Sequence, residues 1–142
     1  MKRVLLAVDS DEERARRAAE GVASMPGAPD DLAVTVLNVF EEFSVADEAG
    51  QVRSKDLYDE DDFPDSAVAA RDLLEAEGID VELRREHGDP AERILAAAAN
   101  EDAAVVAMAG RKRSPAGKAL FGSVTQSVIL DADRPVLVVP SG

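Results

Sequence analysis

Apolar residues recur along the chain in two alternating patterns. Residues 4–8 form a continuous apolar run, which is typical of a strand buried on both faces of a sheet. From Ala15 to Ala23 the small apolar residues fall at helical spacing, so an amphipathic helix is expected there. A Ser-x-x-Glu capping box at Ser10 and Glu13 predicts where that helix begins.

The strand-then-helix order continues to the end of the chain. Further strands are predicted at residues 32–39, 79–84, 103–109 and 136–139, and the charged alternate positions of 79–84 suit a sheet edge. Helix starts are predicted at Pro64-Asp65, Asp89-Pro90 and Gly122-Ser123. Residues 41–62 are acidic with few core candidates, which favours an exposed connection over a metal site.

Strands that alternate with helices of this length predict an α/β fold. The expected architecture is a three-layer sandwich, in which right-handed crossovers place helices on both faces of a parallel sheet. Ligands in such sheets bind beyond the carboxyl ends of the strands, where the strand order reverses. Asp9, Val39 and Gly110 stand at predicted carboxyl ends. One domain over residues 1–142 is expected.

The charge balance narrows the classes of partner. The formal net charge of −13 repels nucleic acid and anionic membranes. Without cysteine, the chain has neither a disulfide framework nor a thiolate metal site. No apolar run is long enough for a membrane span or a signal peptide, so a cytoplasmic protein is expected. High acidity with more arginine than lysine also predicts an origin in a high-salt cytoplasm.

The loop that follows the fourth predicted strand reverses the overall charge. Four of the chain's 16 basic residues lie in it: Arg111, Lys112, Arg113 and Lys118. Glycines at both ends allow a backbone to approach a ligand, and Gly122-Ser123 opens a helix whose free amides suit a phosphate. The spacing fits neither a Walker P-loop nor a Rossmann glycine motif.

Simpler interpretations stand beside this one. Gly122-Ser123 can act as a helix start with no ligand, and the basic residues can pair with acidic neighbours. Asp9 can cap the first helix and do nothing more. His87 lacks a second His or Cys to form a ligand set, so a structural or incidental role is favoured.

The ordered set of motifs resembles the universal stress protein family over essentially the whole chain. Its pieces are Val-Asp-Ser at 8–10, Gly-Asp-Pro at 88–90, the glycine-bounded loop and the final Arg-Pro-Val-Leu-Val-Val at 134–139. The resemblance implies a five-stranded parallel sheet in the order 3-2-1-4-5, of the adenine nucleotide alpha-hydrolase-like, Rossmann-like type. It also implies a homodimer formed through the last strand, Val136–Val139.

One branch of the family binds ATP, and its pattern can be carried over residue by residue. The resemblance places the ribose and any bound Mg²⁺ near Asp9, the adenine at the Val39 backbone, and the phosphates on the loop. The implied nucleotide-binding residues are Ala7, Val8, Asp9, Val39, Gly110, Arg111, Arg113, Gly122, Ser123 and Val124.

The loop departs from the family pattern at one point. Where the family has a second glycine this chain has Arg113, and eight residues rather than nine separate that position from Gly122. The Arg113 guanidinium could replace backbone amides on a phosphate, or its side chain could fill the space that a ligand needs.

The leading hypothesis is an ATP-binding, cytoplasmic stress-response regulator, with ADP or AMP as other possible ligands. No residue is placed as a base for water attack, so catalysis beyond slow hydrolysis or autophosphorylation is not expected. The alternative is a nucleotide-free family member that acts as a dimeric interaction module, with an unidentified regulatory protein as a possible partner. A related adenylate-forming enzyme fits less well, because the Ser-Gly-Gly-x-Asp-Ser loop is absent.

Overall fold

The architecture was taken from a computed structural model, which describes residues 1–41, 44–47, 50–53, 62–110 and 121–140. Strands and helices alternate along these ranges. The strands are β1 (Lys2–Val8), β2 (Leu32–Glu41), β3 (Ser44–Asp47), β4 (Gly50–Arg53), β5 (Asp80–Gly88), β6 (Val105–Ala109) and β7 (Val136–Val139). The helices are α1 (Glu12–Ala23), α2 (Asp65–Ala76), α3 (Pro90–Asn100) and α4 (Ser123–Asp131).

Five of the strands form one parallel sheet in the order β5-β2-β1-β6-β7. Numbered by their place among these five, the order is 3-2-1-4-5, so the predicted fold class is confirmed. The partly wet strand β5 lies at one edge, as its alternating pattern indicated, and β7 lies at the other.

Apolar side chains of the central strands pack into two cores, one on each face of the sheet. Val4 and Leu6 of β1 pack with alanines of α1 and α2 on one face. The intervening residue Leu5 packs on the other face with Ile94 of α3 and Val128 of α4. Because successive strand residues point to opposite faces, the run at 4–8 is apolar throughout.

Several predicted boundaries were wrong. The N-cap of α1 is Asp11, whose Oδ1 accepts from the Arg14 N–H at 2.9 Å, so the predicted Ser10–Glu13 box does not begin the helix. The strand predicted from residue 103 begins only at Val105, because the Ala103 N–H donates to Ala98 O at 2.9 Å and closes the end of α3.

The predicted exposed connection at residues 41–62 contains regular structure. Backbones of β3 and β4 pair as an antiparallel hairpin, with Ser44 opposite Arg53 and Asp47 opposite Gly50. Strands of four residues are too short for a clear period in the sequence. In addition, β2 and β5 pair through to Glu41 and Gly88, beyond the predicted ends of both strands.

Candidate functional site

A cavity of about 490 Å³ opens at the carboxyl ends of β1, β2 and β6. It lies where the strand order reverses, since β1 pairs with β2 on one side and with β6 on the other. In the register of the sheet Val8 is level with Asn38, and Ala7 is level with Met108, so all four residues reach the cavity. Residues of α1, α3 and α4 also line it. The position is that expected for a ligand in a doubly wound sheet.

Most of the predicted binding residues lie around this cavity. Those that line it are Ala7, Val8, Asp9, Val39, Gly122, Ser123 and Val124. Gly110 directly follows the lining residue Ala109, and its N–H donates to Val139 O at 2.8 Å. Arg111 and Arg113 lie outside the described residues. The fold therefore brings together two chain segments, around Asp9 and Ser123, that are far apart in sequence.

Asp9 is held firmly at the rim of the cavity. Its Oδ2 lies 2.8 Å from Arg14 Nη2, and its Oδ1 accepts from the Asp11 N–H at 2.9 Å. The Asp9 carbonyl oxygen accepts from the hydroxyl of the buried Ser66, which joins the end of β1 to α2. Asp9 therefore has a structural role in the start of α1, although Asp11 is the N-cap.

The first turn of α4 faces the cavity through Gly122, Ser123 and Val124. Gly122 is the N-cap, and within the described residues no side chain caps this turn. The first amides of a helix have no carbonyl partner inside it, and they carry the positive end of the helix dipole. Hydrogen-bond donors are therefore available on the α4 side of the cavity for an anionic group.

Three residues that sequence reasoning missed form the opposite wall. The Asn38 side-chain N–H donates to Val8 O at 3.2 Å, and its Oδ1 accepts from Arg85 Nε at 3.3 Å. The Arg85 guanidinium carbon stands 4.9 Å from the centre of the Phe40 ring, and its Nη1 donates to Asp62 O at 2.6 Å. The one signal in the sequence is a polar Asn38 inside an apolar strand.

The charge of the described lining differs in sign from that of the whole chain. Its charged residues are Asp9, Arg14 and Arg85, two cations and one anion. The chain as a whole has a formal charge of −13. A positively charged cavity favours an anionic ligand even in an acidic protein, because the charges that line the cavity are nearer to the ligand than the charges on the rest of the surface.

Other candidate features lie outside this lining. His87, at the end of β5, packs against Phe40 with the ring centroids 6.0 Å apart and the rings tilted by 31°. Among the described residues, no three His, Cys, Asp or Glu side chains converge in a way that could hold a metal ion. No helix within the same residues has the length and apolarity that a membrane span needs.

The five-stranded parallel sheet, with a cavity at its switch point, defines the class as a doubly wound, Rossmann-like α/β protein. Within that class, the universal stress protein family model matches residues 1–140. The chain belongs to the universal stress protein family.

A curated relative supports the family assignment over part of the chain. A universal stress protein of Mycolicibacterium smegmatis is 39% identical over 67 residues, which is 46% of this chain and 52% of that protein. The chain thus spans about half the length of the curated relative that it matches.

Three solved structures share the fold, and each is described with an adenine nucleotide. A universal stress protein in complex with cAMP is 18% identical with a TM-score of 0.64, covering 99% of this chain and 98% of that one. The Archaeoglobus fulgidus protein in complex with dAMP is 20% identical with a TM-score of 0.57, covering 98% of each chain. An Arabidopsis thaliana family protein with AMP bound is 16% identical with a TM-score of 0.65, covering 100% of this chain and 93% of that one.

Proposed function

We propose that this protein binds an adenine nucleotide, ATP included, in the cavity at the carboxyl ends of β1, β2 and β6. The observation that carries the proposal is the cavity itself, which joins Asp9, Val39 and the first turn of α4 in one space. Its volume of about 490 Å³ lies within the usual range for small-molecule sites.

The two sides of the cavity suit the two ends of a nucleotide. On the α4 side, Gly122 and Ser123 offer helix amides to a phosphate. In the sequence, four basic residues stand between β6 and Gly122. On the β2 side, Val39 offers backbone groups to a base. In this proposal magnesium enters as the ion that the ATP phosphates carry.

The proposal agrees with what is known of proteins with the same fold, three of which are described with AMP, cAMP or dAMP. Those ligands belong to those proteins. For this chain they narrow the candidates to adenine nucleotides, and the preference among AMP, ADP and ATP is a matter for experiment.

Small molecules released from freshly purified protein provide the first test. We expect mass spectrometry to detect an adenine nucleotide, and calorimetric titration of the emptied protein with Mg-ATP to give a saturable heat. The titration should be run at several temperatures, because the binding enthalpy can pass through zero at one of them. If no nucleotide is retained and no heat appears at any temperature, the proposal is wrong.

Binding without turnover would suit a regulator. We propose that the occupied state alters the contacts of this protein with a second copy or with an unidentified regulatory protein, in the cytoplasm and during stress. A ligand favours the conformation that it binds better, so occupancy of the cavity would change the surface that a partner meets. The acidic composition supports a further proposal, that the protein functions at high salt concentration.

A second candidate function rests on the edge strand β7 and its neighbour α4. Within the described residues β7 pairs only with β6, and on α4 Leu130 is 75% exposed. An edge strand with no second partner strand among the described residues suits pairing with a second copy. This observation supports a homodimer through Val136–Val139, with or without nucleotide. Light scattering at working salt should give the mass of a dimer, and a monomeric mass would contradict it.

A further inference from the structure

The Asp9 carboxylate already has a cation beside it. The family resemblance assigns this residue to the ribose and to nucleotide-bound magnesium. In the structure its Oδ2 lies 2.8 Å from Arg14 Nη2, and its Oδ1 accepts from the Asp11 N–H. A magnesium ion coordinated by either oxygen would stand close to the guanidinium, and the two positive charges would repel each other. Asp9 with Arg14 in place therefore does not fit the role of magnesium ligand.

Arg14 is fixed in this position by more than one contact. Its guanidinium also approaches Asp11 Oδ2 at 3.9 Å, and its backbone N–H donates to Asp11 Oδ1 in the cap of α1. Its side chain is 24% exposed, and it lines the cavity together with Asp9. Among the described residues, the buried Nε–H of Arg14 has no acceptor.

We propose that Arg14 takes the place of a divalent cation beside Asp9, so that the site binds adenine nucleotides without a contact between Asp9 and magnesium. The inference rests on the proposed function, because it concerns the same cavity. Arginine is permanently charged, and its planar donors match phosphate oxygens as well as carboxylates. The positive charge needed near the ligand is then part of the chain.

The net charge of the described lining depends on Arg14. With Arg14 present, two arginines and Asp9 give the lining one net positive charge. Without Arg14, only Arg85 balances Asp9, and the Asp9 carboxylate becomes available to a metal ion. A neutral residue at position 14 should therefore weaken nucleotide binding and create a magnesium requirement that the native protein lacks.

Calorimetric titration with ADP, with millimolar magnesium or with a chelator, tests this directly. The set comprises the native protein, Arg14→Gln, Arg14→Lys and the control Arg16→Gln. Arg16 pairs with Glu12 on the exposed face of the same helix and does not line the cavity. We expect the native protein, Arg14→Lys and Arg16→Gln to bind with affinities that magnesium changes by less than about threefold.

Arg14→Gln should bind ADP about tenfold more weakly in chelator, and magnesium should restore most of that loss. Arg14→Lys keeps the charge, so it separates a loss of charge from a disturbed helix start. If the native protein binds ADP only with magnesium, the inference is wrong while the proposed function stands. The inference is equally wrong if Arg14→Gln binds as the native protein does. If the native protein binds no ADP under either condition, both fail.

Discussion

Gly21 lies where α1 packs against β7, and its lack of a side chain sets the distance between them. A Cβ at this position would stand 2.5 Å from Val139 Cγ2 and 3.0 Å from Cγ1. Rotation of the branched valine cannot remove both contacts, since its own Cβ would stand at 3.3 Å. Overpacking costs about 1–3 kcal/mol, and alanine regains about 1 kcal/mol in helix propensity. We therefore expect Gly21→Ala to lower the free energy of unfolding by about 1 kcal/mol.

Denaturant unfolding of a double-mutant cycle checks this prediction. Val139→Ala removes the methyl groups that the new Cβ would meet, so Gly21→Ala should stabilise the protein in that background. The sign of the effect should thus reverse between the two backgrounds. Destabilisation of equal size in both would show that the contact with Val139 is not the cause.

Arg113 replaces a glycine of the family loop, and its charge is the property to test. We expect Arg113→Glu to abolish retention of adenine nucleotide, because a carboxylate would repel the phosphates that a guanidinium attracts. Arg17→Glu is a matched control, since it makes the same change in net charge at an exposed residue of α1 outside the cavity lining. Equal retention by both variants, measured by mass spectrometry, would mean that Arg113 has no part in binding.

Individual residues of the cavity could be predicted where a motif carries them. Asp9 and Ser123 stand in short patterns that the family resemblance recognises, and the fold brings both to the cavity. Arg14 and Arg85 could not be found in this way. Arg85 meets Asn38 only because β5 pairs with β2 in one particular register, and a sequence pattern does not specify that register.

The start of α3 is a prediction at the scale of elements that the structure confirms. Asp89 is the N-cap, its Oδ2 accepts from the Glu92 N–H at 3.0 Å, and Pro90 occupies the first turn. Replacement of a capping aspartate by alanine costs about 1 kcal/mol, whereas asparagine caps almost as well. Thermal unfolding should therefore show Asp89→Ala less stable than Asp89→Asn. Equal losses for the two variants would contradict the capping role.

Elements with long apolar patterns could be predicted, and elements that depend on pairing could not. The run in β1 and the final strand β7 appear where their patterns place them. The hairpin of β3 and β4 was missed because four-residue strands are recognised by their partners and not by their own period. The start of α1 differs from the prediction because Asp11, and not Ser10, accepts from an amide of the first turn, that of Arg14, while Asp9 accepts from the Asp11 N–H.

At the scale of the whole molecule, the net charge of −13 predicts a dependence of stability on salt. Self-repulsion of an acidic surface destabilises the compact state, and added ions screen it. We expect the free energy of unfolding to rise with KCl concentration, and sucrose at the same osmolality to serve as an uncharged control. Stability that does not change when the salt is removed would contradict adaptation to high salt.

The position of the bound nucleotide is the central claim, and backbone amide NMR of the protein titrated with AMP tests it most directly. We expect saturable shifts at Asp9, Val39 and Ser123, which surround the cavity. Gly78 and Asp102 precede β5 and β6, at the amino ends of the strands and away from the cavity, and their amide signals should not shift. Shifts concentrated at the amino ends of the strands, or no shifts at millimolar AMP, would contradict the account.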